Sequence, residues 1–178
     1  MKLTITPARL SGAVTPPPSK SQAHRCLIAA ALAGEGSVLH NLADSQDIQA
    51  TRRCMTELKT KSDQLPRLDC GESGSTLRFL IPVALALRGG GVFTGHGRLM
   101  ERPQQPYFDL FNEKGIRYEQ KDGVLTVEGT LTPGAYRLPG DVSSQFFTGL
   151  LFALPLLDGP SVIIPTTRLE SEGYIGMT

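Results

Sequence analysis

The stretch GESGSTLRFLIPVALALRGGGV, residues 71–92, decides the fold, because its pattern occurs twice more in the chain. The pattern is a turn with Ser and Gly, an apolar helix, a glycine break and a strand. The other copies are SKSQAHRCLIAAALAGEGSV, residues 19–38, and GDVSSQFFTGLLFALPLLDGPSV, residues 140–162. Helices alternating with strands in repeated segments predict an α/β protein built from similar units. Each copy also places hydroxyls and free backbone N–H groups at a helix N-terminus, which is a favourable place for an anion.

The bulk composition is typical of a globular domain: 178 residues, 40% hydrophobic and 20% charged. A net charge of +1 provides no long-range field for nucleic acid or membranes, so an anion site must be local. The chain has no apolar run of membrane-spanning length and no signal-peptide core at its start. Three cysteines without CxxC spacing suit a reducing compartment, and we expect a cytoplasmic protein. The histidines show no ligand spacing, so we predict no metal and no cofactor.

Hydrophobic periodicity and turn residues divide the rest of the chain into short elements. Strands are predicted at residues 2–5, 37–42, 92–94, 135–138 and 161–164. Between the repeats, helices are predicted at 44–58 and 107–114, and residues 170–178 are expected to begin a further helix. The turn Lys121-Asp122-Gly123 between two apolar runs predicts a hairpin.

The first two repeats carry polar clusters that could hold an anion. Lys20, Ser21 and Arg25 share the first turns of a helix, where a carboxylate or phosphate could bind. The alternative is a capped helix with solvated cations. In the second repeat, Gly74 permits close approach of a ligand to the backbone. That run is neither a Walker loop nor a dinucleotide fingerprint, and an ordinary Gly- and Ser-containing helix start remains the alternative.

The third repeat and a loop supply further candidates. Ser143, Ser144 and Gln145 stand at a helix start and can donate to phosphate oxygens, although Ser143 could simply cap its own helix. Arg98 and Arg102 lie in a loop rich in Gly and Pro, and such an arginine can clamp a carboxylate. Surface arginines are common, so the loop by itself is weak support for a ligand site.

Five segments together resemble the 5-enolpyruvylshikimate-3-phosphate synthase family: PPSKSQAHR, DCGESGSTLRF, MERPQQP, LPGDVSSQF and LESEGYI. They occur in the family's order and cover nearly the whole chain. The resemblance implies a metal-free enzyme that transfers the enolpyruvyl group of phosphoenolpyruvate to the 5-hydroxyl of shikimate 3-phosphate. It also implies a fold of βαβαββ units, of which this chain would hold about two and a half from the N-terminal domain.

The resemblance assigns residues to both substrates. Those implied for shikimate 3-phosphate are Lys20, Ser21, Arg25, Ser143, Ser144, Gln145, Ser171 and Tyr174. Those implied for phosphoenolpyruvate are Lys20, Gly74, Arg78, Arg102 and Gln145. Lys20 would also contact the reacting centre as a catalytic residue. Gly74 matches a glycine where a side chain would crowd the inhibitor glyphosate, so glyphosate is expected to inhibit the intact enzyme. Glu72 stands where many members carry Asn.

Domain organisation follows from the same resemblance. Residues 1–14 would form a strand that joins the C-terminal domain, and residues 15–178 would be a partial N-terminal domain. The C-terminal domain, which carries the family's acid/base residues, is expected to be absent, so we predict no turnover by this chain on its own. Two alternatives are a UDP-N-acetylglucosamine enolpyruvyl transferase and a non-catalytic anion-binding domain. The first usually carries a loop cysteine, whereas residues 95–106 contain none.

Overall fold

A computed structural model of the chain describes residues 2–9, 11–34 and 36–178. Two helices come first, α1 (Lys20–Leu32) and α2 (Gln46–Lys59). The middle of the chain forms β1 (Arg67–Asp69), α3 (Gly74–Arg88), β2 (Gly90–Thr94), α4 (Gln105–Lys114), β3 (Arg117–Lys121) and β4 (Val124–Glu128). The last part forms β5 (Ala135–Leu138), α5 (Ser144–Ala153), β6 (Val162–Pro165) and α6 (Glu172–Gly176). Short 3-10 turns lie at Leu99–Glu101 and Leu154–Leu156.

The middle part is one complete βαβαββ unit, which confirms the predicted repeat architecture. Its sheet has the order β1-β2-β4-β3, with β1 and β2 parallel and the other two pairs antiparallel. The predicted hairpin is confirmed between β3 and β4. Asp122 and Gly123 at its turn both have positive φ, 51° and 74°, as a two-residue turn of this kind requires. The last part repeats the first half of the unit, with β5 and β6 parallel.

Two predicted strands are wrong. Residues 2–5 and 37–42 have no regular secondary structure, and apolar side chains such as Leu3, Ile5 and Val38 are exposed. A strand needs a neighbour for its backbone N–H and C=O groups, and no described strand pairs with either segment. That residues 1–14 belong with another domain stays a prediction.

Helix α3 is the centre of the core and packs against α2, α5 and β2. Its closest neighbour is α5, and the two helices approach at Gly149, where a Cβ would collide with the Tyr107 hydroxyl and the Arg78 carbonyl. Tyr107 is fully buried between them and donates toward the carbonyls of Arg78 and Phe146, at 2.7 and 3.1 Å. The glycine and the phenol therefore fix the distance between the N-terminal ends of α3 and α5.

The long apolar runs are helices inside the fold, as predicted. Pro82 lies within α3 and is buried, whereas Pro155 belongs to the 3-10 turn that ends α5. Among the described residues, no helix has both the length and the apolar character needed to cross a membrane.

Candidate active site

Each of the three repeated helix starts is capped by a serine. Ser19 Oγ accepts from the amide of Gln22 at 3.3 Å, and Ser73 Oγ accepts from the amide of Thr76 at 3.1 Å. At α5, Ser143 Oγ accepts from the amide of the residue two positions later at 3.3 Å. The capping interpretation is therefore correct locally. A cap satisfies only one of the free N–H groups at a helix start, so the others can still face a ligand.

The helix starts of α1, α3 and α5 converge on one cleft of about 240 Å³. Its walls carry hydroxyl, amide and guanidinium groups together with two aromatic rings. The lining residues are Ser21, Arg25, Ser75, Phe79, Ser143, Ser144, Gln145, Ser171 and Tyr174. Apart from Lys20, every residue predicted for shikimate 3-phosphate is in this set. The structure thus brings together side chains that are more than 150 positions apart in the sequence.

Arg25 is the cation of this cleft, and it is held rigidly. Its Nη1 donates to the carbonyl of Ser21 and its Nη2 to the carbonyl of Tyr174, each at 2.8 Å. Its Nε donates to Thr178 Oγ1 at 2.8 Å, and the guanidinium lies 5.3 Å from the Phe79 ring centroid. Burial lowers the pKa of Arg25 from its ordinary value, yet an arginine stays charged at neutral pH. No described carboxylate pairs with it, so its charge is available to an anion.

Lys20 does not line the cleft. Its Nζ lies 2.7 Å from Oδ2 of Asp47 on α2, and about half of its side chain is exposed. The structure therefore shows Lys20 in an ion pair, and its contact with a reacting centre stays a prediction. Asp47 was not among the residues selected from the sequence, since it belongs to a different helix and to no repeated motif.

A polar bridge joins the second and third helix starts. Arg78 Nη1 donates to Gln145 Oε1 at 2.9 Å, and Gln145 Nε2 donates to Ser75 Oγ at 3.0 Å. Arg78 also donates from Nη2 to the carbonyl of Pro103 at 3.0 Å and lies 4.7 Å from the Phe146 ring centroid. Burial lowers the pKa of the Arg78 guanidinium, with the nearby Arg102 adding to that direction. Arg78 thus makes two hydrogen bonds to protein groups, while its buried Nε has no partner among the described residues.

Gly74 and Arg102 are in close contact at the start of α3. A Cβ on Gly74 would lie 2.7 Å from Arg102 Nη1 and 3.8 Å from Gln145 Oε1. Arg98, the other loop arginine, points to Glu101 at 3.2 Å and is exposed. The structure therefore separates the two loop arginines: Arg102 reaches the helix start and Arg98 does not. That Gly74 and Arg102 bind phosphoenolpyruvate stays a prediction.

Several side chains at the site were not selected from the sequence. Ser75 and Phe79 line the cleft, and Thr148 accepts from Arg25 Nη2 at 3.2 Å. Ser75 lies within a quoted motif, so its hydroxyl near a helix start was a usable signal. Phe79 and Thr148 look like ordinary core positions in sequence. Within the described ranges, no group of three or more His, Cys, Asp or Glu side chains could hold a metal ion.

The match to a known family covers the repeated α/β units and the polar cleft at their helix starts. Residues 5–178 match the family model of EPSP synthase (3-phosphoshikimate 1-carboxyvinyltransferase), and the chain belongs to this family.

Its relatives carry the same name. The chain is 45% identical to the 3-phosphoshikimate 1-carboxyvinyltransferase of Clostridium beijerinckii over 99% of its own length and 46% of that relative. It is 41% identical to the enzyme of Clostridium novyi over 99% of its length and 47% of that relative. The chain therefore spans about half the length of the curated relatives it matches. A solved EPSP synthase from Acinetobacter baumannii has the same fold, with a TM-score of 0.72, 21% identity, and coverage of 93% of this chain and 42% of that one.

Proposed function

We propose that this chain supplies the substrate-holding cleft of an EPSP synthase, which transfers the enolpyruvyl group of phosphoenolpyruvate to the 5-hydroxyl of shikimate 3-phosphate. The observation that carries the proposal is the cleft of about 240 Å³ in which a buried Arg25, paired with no carboxylate of the described residues, faces serines from two further helix starts. The names of the relatives favour this reaction over transfer to a nucleotide sugar.

The polar walls of the cleft suit shikimate 3-phosphate by charge. We assign its carboxylate to Arg25 and Ser21, because the guanidinium charge attracts a carboxylate. The one N–H that the four described hydrogen bonds of Arg25 leave free can donate to it together with the Ser21 hydroxyl. We assign its phosphate to Ser143, Ser144 and Ser171, where hydroxyls and the N-terminal end of α5 favour negative charge. We assign the shikimate ring to the space beside Gln145 and Tyr174, the other two cleft residues implied for this substrate.

Phosphoenolpyruvate belongs at the start of α3 in this proposal. Gly74 is buried, but it has no side chain to stand between the backbone and an anion, and Arg102 lies against it. Arg78 contributes its charge and positions Gln145, which both substrates would touch. The same anion-binding position accounts for inhibition of the intact enzyme by glyphosate, an anionic molecule that would meet no side chain at Gly74.

The reaction needs a proton donor and acceptor as well as charge stabilisation. A proton adds to the methylene carbon of phosphoenolpyruvate, and the substrate hydroxyl oxygen forms a bond to the adjacent carbon while losing its own proton. One proton of the methyl group so formed is then removed as the carbon–oxygen bond to phosphate breaks, which releases phosphate. Lys20 is the residue of this chain that we place nearest the reacting carbon. The cleft lining contains no carboxylate and no imidazole, so we assign the acid/base pair to a C-terminal domain such as the family carries.

That same lack favours a second candidate, a non-catalytic domain that binds anions. Two measurements separate the candidates. Calorimetric titration with shikimate 3-phosphate and with UDP-N-acetylglucosamine tests the ligand, and tighter binding of the nucleotide sugar would overturn the proposal. Steady-state phosphate release is then measured for the pure chain and for a mixture with the C-terminal half of the Clostridium beijerinckii relative. Turnover in the mixture supports the enzyme, and binding without turnover leaves the anion-binding domain.

Within this proposal the partners are the two substrates and a C-terminal domain, with no nucleic acid and no membrane. The three cysteines Cys26, Cys54 and Cys70 are unpaired thiols, which supports our expectation of a cytoplasmic protein.

A further inference from the structure

A chain of buried polar groups runs from α1 to the start of α3 outside the proposed substrate cleft. His24 Nδ1 lies 2.7 Å from Thr51 Oγ1, and Thr51 Oγ1 lies 2.7 Å from Thr76 Oγ1. Thr76 Oγ1 donates to Ser73 Oγ, the cap of α3, again at 2.7 Å. All four side chains are at most 1% exposed. Buried hydrogen bonds of this length are strong, and breaking one leaves a polar group without water.

The chain also connects α2 to both of its neighbours. The hydroxyls of Thr51 and Thr76 lie 3.2 and 3.3 Å from the carbonyl oxygen of Asp47, in the first turn of α2. The side chain of Asp47 holds Lys20. The network therefore joins the first turns of α1, α2 and α3, which are the segments that carry Lys20 and Gly74.

His24 forms one end of this network. Each threonine hydroxyl has one proton, and Thr76 Oγ1 is placed to donate its proton to Ser73 Oγ. His24 is neutral because burial lowers its pKa to about 4, and its Nδ1 donates to or accepts from Thr51 Oγ1 according to the tautomer. Its Nε2 has no partner among the described residues, and its ring packs edge-on against Phe79. The imidazole therefore has one polar contact, which is the network.

We infer that His24 is a positioning residue: acting through Thr51 and Thr76, it sets the N-terminal turn of α3 at which phosphoenolpyruvate is proposed to bind. This inference rests on the proposed function for the identity of that anion. His24 itself touches no substrate. Its effect is on the orientation of the backbone N–H groups that follow Ser73.

The test breaks the network at its middle and at its end. Thr51→Val removes the hydroxyl with little change in shape, and Thr51→Ser keeps it. His24→Leu removes the imidazole, and His24→Asn offers an amide nitrogen near the position of Nδ1. The matched control is Thr56→Val, because Thr56 is an exposed threonine on α2, the helix that carries Thr51.

The first readout is hydrogen exchange of the Thr76 amide, which requires no ligand. Thr51→Val and His24→Leu are expected to speed this exchange at least about tenfold, since they loosen the Ser73 cap. Thr51→Ser and His24→Asn are expected to restore most of the protection, and Thr56→Val to change nothing. Unchanged exchange in both network-breaking variants would overturn the inference, whatever the ligand is.

The second readout is binding, measured as separate dissociation constants for phosphoenolpyruvate and shikimate 3-phosphate. Thr51→Val is expected to raise the dissociation constant for phosphoenolpyruvate about five- to tenfold, and that for shikimate 3-phosphate less than about twofold. An equal loss for both ligands, in parallel with a lower Tm, would mean general destabilisation and would contradict the inference. If the unaltered chain binds neither ligand, the proposed function fails, and the exchange experiment still decides the role of His24.

Discussion

Arg78 and Gln145 are joined by a hydrogen bond of 2.9 Å from Nη1 to Oε1, which connects the start of α3 to the start of α5. In the proposed reaction these two helix starts hold different substrates. The bond therefore makes the orientation of one substrate's ligands depend on the other's, although the two residues are 67 positions apart.

Gln145→Ala is expected to weaken the binding of each substrate about tenfold, because it removes the hydrogen bonds to Arg78 and Ser75 together. Calorimetric titration with each substrate measures the effect. A double-mutant cycle with Ser75→Ala is expected to show about 1 kcal/mol of coupling. Gln105→Ala, an exposed glutamine on α4, is the control. Loss of one substrate only would contradict a shared role.

Gly74→Ala is expected to weaken the binding of phosphoenolpyruvate and of glyphosate without unfolding the protein. The new Cβ meets the end of the flexible, exposed Arg102 side chain, which can move away at little cost. We expect about a tenfold loss of phosphoenolpyruvate affinity and a Tm within a few degrees of the unaltered protein. Gly176→Ala, where an added Cβ meets nothing within 4 Å, is the control. A parallel loss of stability would indicate that the position is structural.

The free energy of unfolding is expected to fall as the pH is lowered from about 6.5 to 4 because of His24. Its pKa in the folded protein is about 4, chiefly through burial, with the charges of Lys20 and Arg25 acting in the same direction and Asp47 opposing them. The unfolded state therefore binds more protons in this range, and protonation favours unfolding.

The contribution of His24 is about 2 to 3 kcal/mol between pH 7 and 4.5. Urea unfolding at both pH values, for the unaltered protein and for His24→Asn, isolates it. The variant should lose less stability on acidification. Equal losses in the two proteins would show that His24 does not titrate in the predicted range.

Asp47→Asn is expected to change stability little and catalysis strongly. The Lys20–Asp47 pair is partly exposed, and such pairs contribute less than about 1 kcal/mol. Lys20 lies outside the cleft in this pair, and we expect the carboxylate to hold it on the side from which it would reach the reacting centre. In the mixture with the C-terminal half, phosphate release should fall about tenfold or more. Asp63→Asn, an exposed aspartate outside the site, should leave the rate unchanged.

The local features of the fold were predictable because single residues decide them. Serine caps gave the starts of α1, α3 and α5, and the Asp122-Gly123 turn gave the hairpin. Most of the cleft residues could also be predicted from these helix starts, because the cleft and the helix caps are built from the same residue types. The strand predicted at 37–42 was wrong because its apolar pattern carries no information about whether a neighbouring strand is present.

The contacts between repeats were not predictable in the same way. The partners of Arg25 come from α5 and from the end of the chain, and the partner of Lys20 comes from α2. A threonine such as Thr51 looks like an ordinary helical residue until α1 and α3 are packed on either side of it. Sequence spacing describes one element at a time, whereas these contacts depend on how three elements meet.

The glycine at 149 has a consequence for how this protein can vary. Because any Cβ there would displace both the Tyr107 hydroxyl and the Arg78 backbone, every substitution at this position should be lost in a saturation library selected for folding. A single missing methyl group thus keeps α3 and α5, and the two parts of the cleft that they carry, at one spacing.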